Sequence, residues 1–353
     1  MKKEKVKAYL RLAALMAAFI YVGLGQAKVR KVGETSEALS YFALAMGFFA
    51  LAVGSTKPPF LAGEPATLTG NFRRRVAGFI TLALSGLMIA TSLLCFSRMT
   101  NALPWLLYFA GLLFFMTSFH FLEEQPVRFA TPPWRFREII GFAVVVLLAA
   151  FLRLYRLSQM PPGIYYDEAN NALDALSIGG SHFPLYFEGW GGRGPLIMYS
   201  LAIAFRFLGI SPLVMRLVPV FYGLVGVVGL YLLMRLLWGP RTAFFTAVLL
   251  AVMRWHFHFS RVVFDAITTP CFTALALYFL FRGLREGRRS DCAWGGFFLG
   301  WGLMGYAAFR MVPFIIIVIL LWALIWDRNW LSKAYEGLLV FLAASLIASS
   351  PIF

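Results

Sequence analysis

The chain has 353 residues, of which 60% are hydrophobic and only 14% are charged, whereas soluble domains carry about a quarter charged residues. This composition excludes an ordinary soluble domain and predicts an all-α polytopic membrane protein. The formal net charge of +16 does not indicate a nucleic-acid partner, because there is no basic stripe with interleaved aromatic residues and the cytoplasmic loops of membrane proteins collect Lys and Arg.

Apolar runs that are long enough to cross a bilayer predict about eleven membrane spans. They cover residues 8–25, 37–54, 76–96, 103–122, 139–157, 214–237, 241–257, 266–282, 292–307, 311–326 and 335–349. A further apolar run, 195–209, would be about 22 Å long as a helix, short of the hydrocarbon core of about 30 Å. We therefore interpret it as a juxtamembrane or re-entrant helix. The Pro-rich segment 125–133 divides the chain into an accessory module, 1–134, and a second module, 135–353.

Basic residues orient these spans, because Lys and Arg accumulate in cytoplasmic loops. If the N-terminus is cytoplasmic and 195–209 does not cross, the arginines of 73–75 and 282–289 fall inside. The loop that carries Asp167, the segment 255–265 and Arg310 then all fall on the extracytoplasmic side. Polar residues that are far apart in the sequence are therefore expected to meet on one membrane face.

An acidic pair, Asp167-Glu168, follows the Pro161-Pro162-Gly163 turn. Ionisable groups at a membrane are costly and tend to be functional. We predict that Asp167 is the N-cap of a short helix lying on the membrane surface. Its apolar face would carry Ala169, Ala172, Leu173 and Leu176, and the opposite face Asp167, Asn170, Asn171 and Asp174. Two interpretations stay open: Asp167 acts as a base or metal ligand oriented by Glu168, or the two residues only cap the helix and complement its dipole.

The next polar segment, 181–195, is rich in turn formers and aromatic residues, as binding loops are. His182 and Glu188 are candidates for substrate contact there, although an ordinary surface loop has the same composition. Arg216 opens the following span. It is expected either to reach lipid phosphates or to clamp a substrate phosphate, which suits its fork of donors.

Histidines and an acid–base pair follow the span at 241–257. His256 and His258 alternate, so they would face apart on a helix, and two histidines are a weak metal signal. Arg261 and Asp265 are four residues apart. They are expected to form either a pair near a site or an interfacial ion pair without a catalytic role.

These motifs together resemble a known family. The segment 154–163 with Asp167-Glu168-Ala169 resembles the first extracytoplasmic loop of the polyprenyl-phosphate-sugar-dependent glycosyltransferases of the GT-C fold. That family includes the protein O-mannosyltransferases and the aminoarabinose transferase of lipid A. The segments 192–196, 216–219 with Gly223, and 260–261 with Asp265 resemble its later motifs. The resemblance covers about 139–353, and the first 130 or so residues lie outside it.

The resemblance implies a GT-C-like helix bundle with juxtamembrane helices in the first outer loop and a catalytic module at 135–353. Such an enzyme, in a bacterial or archaeal plasma membrane, moves a sugar from a polyprenyl phosphate to a protein, lipid or glycan acceptor on the outer face. Asp167 is then the candidate base with Glu168 beside it, Arg216 and Arg261 are candidates for the phosphate, and Asp265 for sugar hydroxyls. Further candidate substrate contacts are His182, Glu188, Arg193 and His258.

Three features bear on how far the resemblance carries. Relatives with a similar loop often have an acid where Gly194 stands. The large C-terminal portion usual in the family is expected to be missing. The sequence has no Asp-x-Asp motif, so no cofactor is assigned, and binding of a divalent cation stays open.

The rival interpretation is a transporter or flippase of lipid-linked sugars that performs no chemistry. Such a protein would favour broken helices and charges at the bilayer midplane. Here the charged residues gather toward one face, which favours surface chemistry.

Overall fold

The computed structural model describes residues 72–123, 133–187, 193–327 and 329–352, together with the isolated residues 13, 14, 17 and 20. Within those four continuous ranges the chain forms twelve α-helices, three short 3-10 helices and no strand. The α-helices are α1 (Phe72–Phe96), α2 (Leu103–Leu122), α3 (Phe136–Leu154), α4 (Tyr166–Ser177), α5 (Leu196–Leu208), α6 (Pro212–Trp238), α7 (Pro240–Val252), α8 (Arg254–Phe259), α9 (Thr268–Glu286), α10 (Arg289–Leu303), α11 (Val312–Trp326) and α12 (Trp330–Ser349). The 3-10 helices are Asp265–Ile267, Ala307–Met311 and Ser350–Ile352.

Several helices have the length and composition of membrane spans. Five such segments occur in the described ranges: Arg73–Phe96, Pro212–Trp238, Asp265–Glu286, Ala307–Trp326 and Trp330–Ile352. Large apolar side chains on their outer surfaces, such as Phe79, Leu87 and Phe314, are exposed, as expected where lipid replaces water. The prediction of an all-α polytopic membrane protein is confirmed. The predicted span at 37–54 and all but four residues of the one at 8–25 lie outside the described residues.

By the contacts between its Cα atoms, the chain divides into two compact units. One is Met1–Pro58 with Leu320–Arg328, and the other is Pro59–Ile319 with Asn329–Phe353. All the packing and site geometry below belongs to the second unit. The proposed division at residue 134 stays a prediction.

One predicted span is broken. The apolar run at 241–257 forms α7 as far as Val252, and a new six-residue helix, α8, begins at Arg254. In a continuous helix the carbonyl of Ala251 would accept from the amide of residue 255. Instead it accepts a hydrogen bond from Nη1 of Arg153 at 3.2 Å. The interruption removes the segment 254–259 from the apolar helix and brings it against the end of α3.

Close helix contact holds the second unit together where small residues face each other. On α10, a Cβ at Gly296 would lie 2.1 Å from the carbonyl oxygen of Phe341, and one at Gly300 would lie 2.5 Å from that of Ser345. Only glycine allows α10 and α12 to approach so closely, in the small-xxx-small pattern that is common between membrane helices. This contact fixes the ends of α10 and α12, both of which reach the cavity described below.

Candidate active site

A cavity of about 290 Å³ lies at one end of the bundle. It is bounded by α4, the loop before α5, the segment before α9, the end of α10 with the 3-10 helix that follows it, and the segment after α12. Its charged and polar lining residues are Asp167, Asn170, Asn171, Arg193, Asp265 and Arg310, and its aromatic ones are Tyr186, Phe264 and Tyr306. Two carboxylates and two guanidinium groups from four separate segments thus meet around one space.

The start of α4 explains why Asp167 faces this cavity. The N-cap is Tyr165, two residues before the predicted one, and α4 begins at Tyr166. The carboxylate of Glu168 reaches back and accepts a hydrogen bond from the backbone N–H of Tyr165 at 3.0 Å, the arrangement of a capping box. The prediction that Asp167 is the N-cap is therefore wrong. With the capping done by Glu168, the Asp167 carboxylate is left to line the cavity.

Glu168 and Arg216 form a buried ion pair behind the cavity. Nε and Nη2 of Arg216 donate to the two carboxylate oxygens of Glu168 at 3.1 Å each. The other donors of Arg216 go to the carbonyl oxygens of Leu157, Pro161 and Gly163. The donors of Arg216 are therefore all used within the protein, and its side chain is only 1% exposed. Neither role expected of Arg216, the phosphate clamp or the contact to lipid phosphate, follows from these contacts, and both stay predictions. Glu168 supports α4 and is not among the residues that line the cavity.

Arg261 has a similar structural role. Its Nη1 donates to the carbonyl oxygens of Leu152 and Arg153, at 2.7 and 2.9 Å, and its Nη2 to those of Tyr155 and Met160, at 2.8 and 3.0 Å. The last carbonyl groups of a helix lack intrahelical partners, so Arg261 caps the end of α3. Its expected pairing with Asp265 is not observed, and its expected contact with a substrate phosphate stays a prediction.

Val263 joins α4 to the segment that carries Asp265. Its backbone N–H donates to Oε1 of Glu168 at 3.2 Å, and its carbonyl oxygen accepts from Nδ2 of Asn171 at 3.0 Å. Glu168 and Asn171 are three residues apart and share one face of the helix. The backbone N–H and carbonyl oxygen of Val263 are thus both bound by side chains of α4. These two hydrogen bonds fix the position of Asp167 relative to Asp265.

The orientation of α4 differs in part from the prediction. Its buried residues are Glu168, Asn171 and Ala175, so Asn171 faces the protein instead of water. Leu173 and Leu176 are 64% and 45% exposed and point away from the protein. An apolar outer face is what contact with the bilayer requires, and the position of α4 on the membrane surface stays a prediction.

The loop before α5 contributes Arg193 and Gly194 to the cavity. Arg193 donates to Oδ1 of Asn171 and forms an ion pair with Asp174, so its charge is compensated by α4. A Cβ at Gly194 would lie 1.9 Å from the carbonyl oxygen of Met304. No side chain fits there, which explains why this chain has no acid at position 194.

Two charged groups in the cavity are available to a ligand. Oδ1 of Asp265 is buried and has no hydrogen-bond partner within the described part of the chain. Arg310, on the 3-10 helix Ala307–Met311, is exposed and lines the cavity. No described residue forms a hydrogen bond or an ion pair with its guanidinium. Buried polar groups normally have partners, so the unsatisfied oxygen of Asp265 is suited to a donor from a ligand.

Sequence reasoning did not single out Arg310 or the aromatic residues Tyr186, Phe264 and Tyr306. The orientation of the spans did place Arg310 on the face of Asp167. However, a lone arginine after a membrane helix has no local pattern that separates it from one that reaches lipid phosphates.

Two other predicted contacts, His182 and His258, are not part of the cavity lining. His182 is exposed in a tight turn with Gly179, and His258 is exposed on α8 with its ring against Phe259. Glu188 lies outside the described residues. No group of three His, Cys, Asp or Glu side chains that would hold a metal ion forms among the described residues, and use of a divalent cation stays untested.

His256 is buried beside Arg153. Nη2 of Arg153 lies 2.8 Å from Nδ1 of the histidine. Burial and the nearby guanidinium lower the pKa of His256 to about 3, so the ring is neutral at physiological pH and acts as a hydrogen-bond acceptor for Arg153.

Comparison with known proteins adds one match. Residues 192–353 match a family model described as dolichyl-phosphate-mannose-protein mannosyltransferase. This match supports the resemblance to the GT-C glycosyltransferases, and it includes Arg193, Asp265 and Arg310 of the cavity. Asp167 lies before the matched region. No curated protein and no solved structure matches the chain.

Proposed function

We propose that this chain is a membrane glycosyltransferase that moves a sugar from a polyprenyl-phosphate donor to an acceptor on the extracytoplasmic face. One observation carries the proposal: the carboxylates of Asp167 and Asp265 and the uncompensated guanidinium of Arg310 line one cavity. The match of residues 192–353 to the mannosyltransferase family model supports it. Sugar transfer from a lipid phosphate needs a base for the acceptor and positive charge for the phosphate.

The position of the cavity relative to the apolar helices suits a lipid donor. Among its lining residues, Asp265 and Ala307 begin two of the candidate spans and Ile352 ends a third. This arrangement supports a position of the cavity at the membrane boundary, where the phosphate of a membrane lipid lies. The arginines of 282–289 are at the opposite ends of α9 and α10, and the positive-inside rule assigns that end to the cytoplasm.

In the proposed reaction an acceptor hydroxyl attacks the anomeric carbon of the sugar. The new bond joins the acceptor oxygen to that carbon, and Asp167 takes the hydroxyl proton as general base. The bond from the anomeric carbon to the phosphate oxygen breaks, its electron pair leaves with the polyprenyl phosphate, and the anomeric configuration inverts. The leaving group is already a phosphate, so it requires a cation more than a proton donor, and Arg310 supplies that charge.

The sugar is held between a polar and an aromatic wall. The unpaired Oδ1 of Asp265 accepts hydrogen bonds from sugar hydroxyls. The rings of Phe264 and Tyr306, with centroids 5.7 Å apart, offer the apolar faces on which sugar rings pack. Arg193 is compensated by Asp174 and keeps the loop in place.

The test is sugar transfer in proteoliposomes that contain the full chain. A polyprenyl phosphate carrying radiolabelled mannose is supplied first, then other labelled sugars, with a membrane extract as the source of acceptor. Asp167→Asn is expected to lower the transfer rate by about 10²-fold or more, the contribution of a general base. The control is Glu336→Gln, which removes a partly exposed carboxylate that pairs with Arg289 on the first turn of α10.

Transfer that is unaffected by Asp167→Asn would contradict the role of Asp167. Absence of transfer from every donor, combined with movement of intact donor across the bilayer, would instead support a transporter.

A further inference from the structure

The α1–α2 hairpin lies outside the region that matches the family model. Nevertheless it supports three parts of the cavity wall: the loop 183–187, the end of α10 at Met304, and the 3-10 helix that ends at Ile352. Trp105 and Tyr108 of α2 belong to one buried hydrophobic cluster with Met304, and Ile352 packs against that cluster.

The contact to the loop is made through the backbone of Phe183. Its N–H donates to the carbonyl oxygen of Thr100, in the α1–α2 connection, at 2.7 Å. Its carbonyl oxygen accepts from the indole Nε1 of Trp105 at 3.3 Å. Both backbone polar groups of Phe183 are thus satisfied by the hairpin, so this residue cannot move without breaking contacts to it.

A second connection runs through Tyr199 of α5. The rings of Trp105 and Tyr199 have centroids 5.0 Å apart, and the hydroxyl of Tyr199 donates to the carbonyl oxygen of Pro184 at 3.1 Å. Two residues further along, Tyr186 lines the cavity, and its hydroxyl donates to the carbonyl oxygen of Ile352 at 3.4 Å. The path from the buried indole to the cavity wall is therefore short and continuous.

The opposite side of that wall is held by Tyr108. This residue is fully buried and donates to the carbonyl oxygen of Ala348, in the last turn of α12. The 3-10 helix Ser350–Ile352 follows immediately. The hairpin therefore contacts both segments that Tyr186 joins.

We propose that the α1–α2 hairpin is a positioning element of the active site. In this proposal Trp105 holds the part of the cavity wall formed by Tyr186 and Ile352, called the Tyr186 wall, in the position in which it binds the acceptor. This inference rests on the proposed function. The lipid donor enters beside the candidate spans, near Asp265 and Ala307. Although Ile352 ends another candidate span, Tyr186 belongs to a loop without helix and is 46% exposed, and we assign this wall to the acceptor on that ground.

The first experiment measures backbone hydrogen–deuterium exchange over residues 178–187 in the full chain. Trp105→Phe removes the indole donor but keeps an aromatic ring, and Tyr199→Phe removes the hydroxyl donor but keeps its ring. Each loses one hydrogen bond, so exchange in this segment is expected to become about fivefold faster. The control is Trp238→Phe, which alters an exposed tryptophan at the far end of α6.

The second experiment measures steady-state transfer with the labelled donor and a titrated membrane extract. Trp105→Phe is expected to raise the KM for the acceptor about fivefold while the KM for the donor changes less than twofold. A general loss of folded protein would lower kcat without separating the two KM values.

Hydrogen–deuterium exchange and steady-state kinetics together distinguish failure of the hairpin's positioning role from failure of the proposed function. Unchanged exchange in both Trp105→Phe and Tyr199→Phe overturns the inference whether or not the wild type transfers sugar. Faster exchange with an unchanged acceptor KM overturns the assignment of this wall to the acceptor. If the wild type transfers no sugar, the proposed function fails, and the exchange rates alone decide whether the hairpin holds the wall.

Discussion

Glu168 and Arg216 form an ion pair whose side chains are 0% and 1% exposed, with the guanidinium donating to both carboxylate oxygens at 3.1 Å. The pair lies behind the cavity and connects the first turn of α4 with α6. Through Glu168 it also holds Val263. The geometry of the cavity therefore depends on two buried charges that do not line it.

Removing one partner of this pair is expected to destabilise the protein strongly. Arg216→Met leaves Glu168 buried without its cation, and breaking a buried ion pair costs about 3–5 kcal/mol. Arg216→Lys is expected to recover little of this, because lysine cannot reproduce the fork of donors that also binds three carbonyl oxygens. Thermal unfolding of the detergent-solubilised chain measures both changes, and a wild-type melting temperature for Arg216→Lys would contradict the role of the fork.

Arg310 is expected to matter for catalysis but not for stability. It forms no ion pair with a described residue, so Arg310→Ala should leave the melting temperature unchanged. Loss of a donor that stabilises developing charge typically costs about 10²–10³ in kcat, and we expect a loss of that order. Arg254→Ala, which removes an exposed arginine on α8, serves as the control. Equal rates for the two variants would remove Arg310 from the phosphate site.

Asp265 is expected to contribute to donor binding. Asp265→Asn keeps the size of the side chain and one oxygen but loses the charge, so its hydrogen bonds to sugar hydroxyls weaken by about 1 kcal/mol each. The KM for the donor should rise about fivefold or more, and the KM for the acceptor should change little. A proportional fall in kcat with an unchanged donor KM would indicate that Asp265 acts in the chemical step instead.

The sequence predicted the all-α membrane class and a short helix that begins near Asp167, because hydrophobic runs and Pro-Gly turns are local signals. It did not predict the N-cap of that helix or the break after Val252. It did not predict what Arg216 and Arg261 bind. The carbonyl groups that Arg261 caps belong to residues more than 100 positions away, and no local pattern reports whether those groups have other partners. The sequence also did not identify Arg310 as a site residue. Arg310 has no partner among the described residues, and only the folded structure distinguishes such an arginine from one that is already paired.

Position 194 is expected to require glycine, because there is no room for a Cβ atom. Gly194→Ala would place a Cβ 1.9 Å from the carbonyl oxygen of Met304, so the backbone must move, and with it Arg193. We expect a loss of stability of about 1–3 kcal/mol, typical of overpacking, together with reduced transfer. Gly86→Ala is the matched control. Nothing lies within 4 Å of a Cβ there, and alanine in a helix interior should stabilise by about 0.5–1 kcal/mol.

His256 is expected to make the folded chain sensitive to acid. Its pKa is about 3 in the folded state against about 6.5 for a free histidine. Between these values the unfolded state binds the proton and the folded state does not, so stability falls as the pH falls from about 6.5 toward 3, by up to about 1.4 kcal/mol per pH unit. Above pH 6.5 both states are neutral and the effect disappears.

The variant His256→Gln isolates this contribution, because it keeps a side chain able to accept from Arg153 but cannot titrate. The difference between wild type and His256→Gln in the pH dependence of unfolding should therefore be confined to the range between about pH 3 and 6.5. His258→Gln, which changes an exposed histidine on the same short helix, should keep the wild-type slope. If His256→Gln also keeps that slope, the ring is not held neutral in the folded protein, and other groups cause its acid sensitivity.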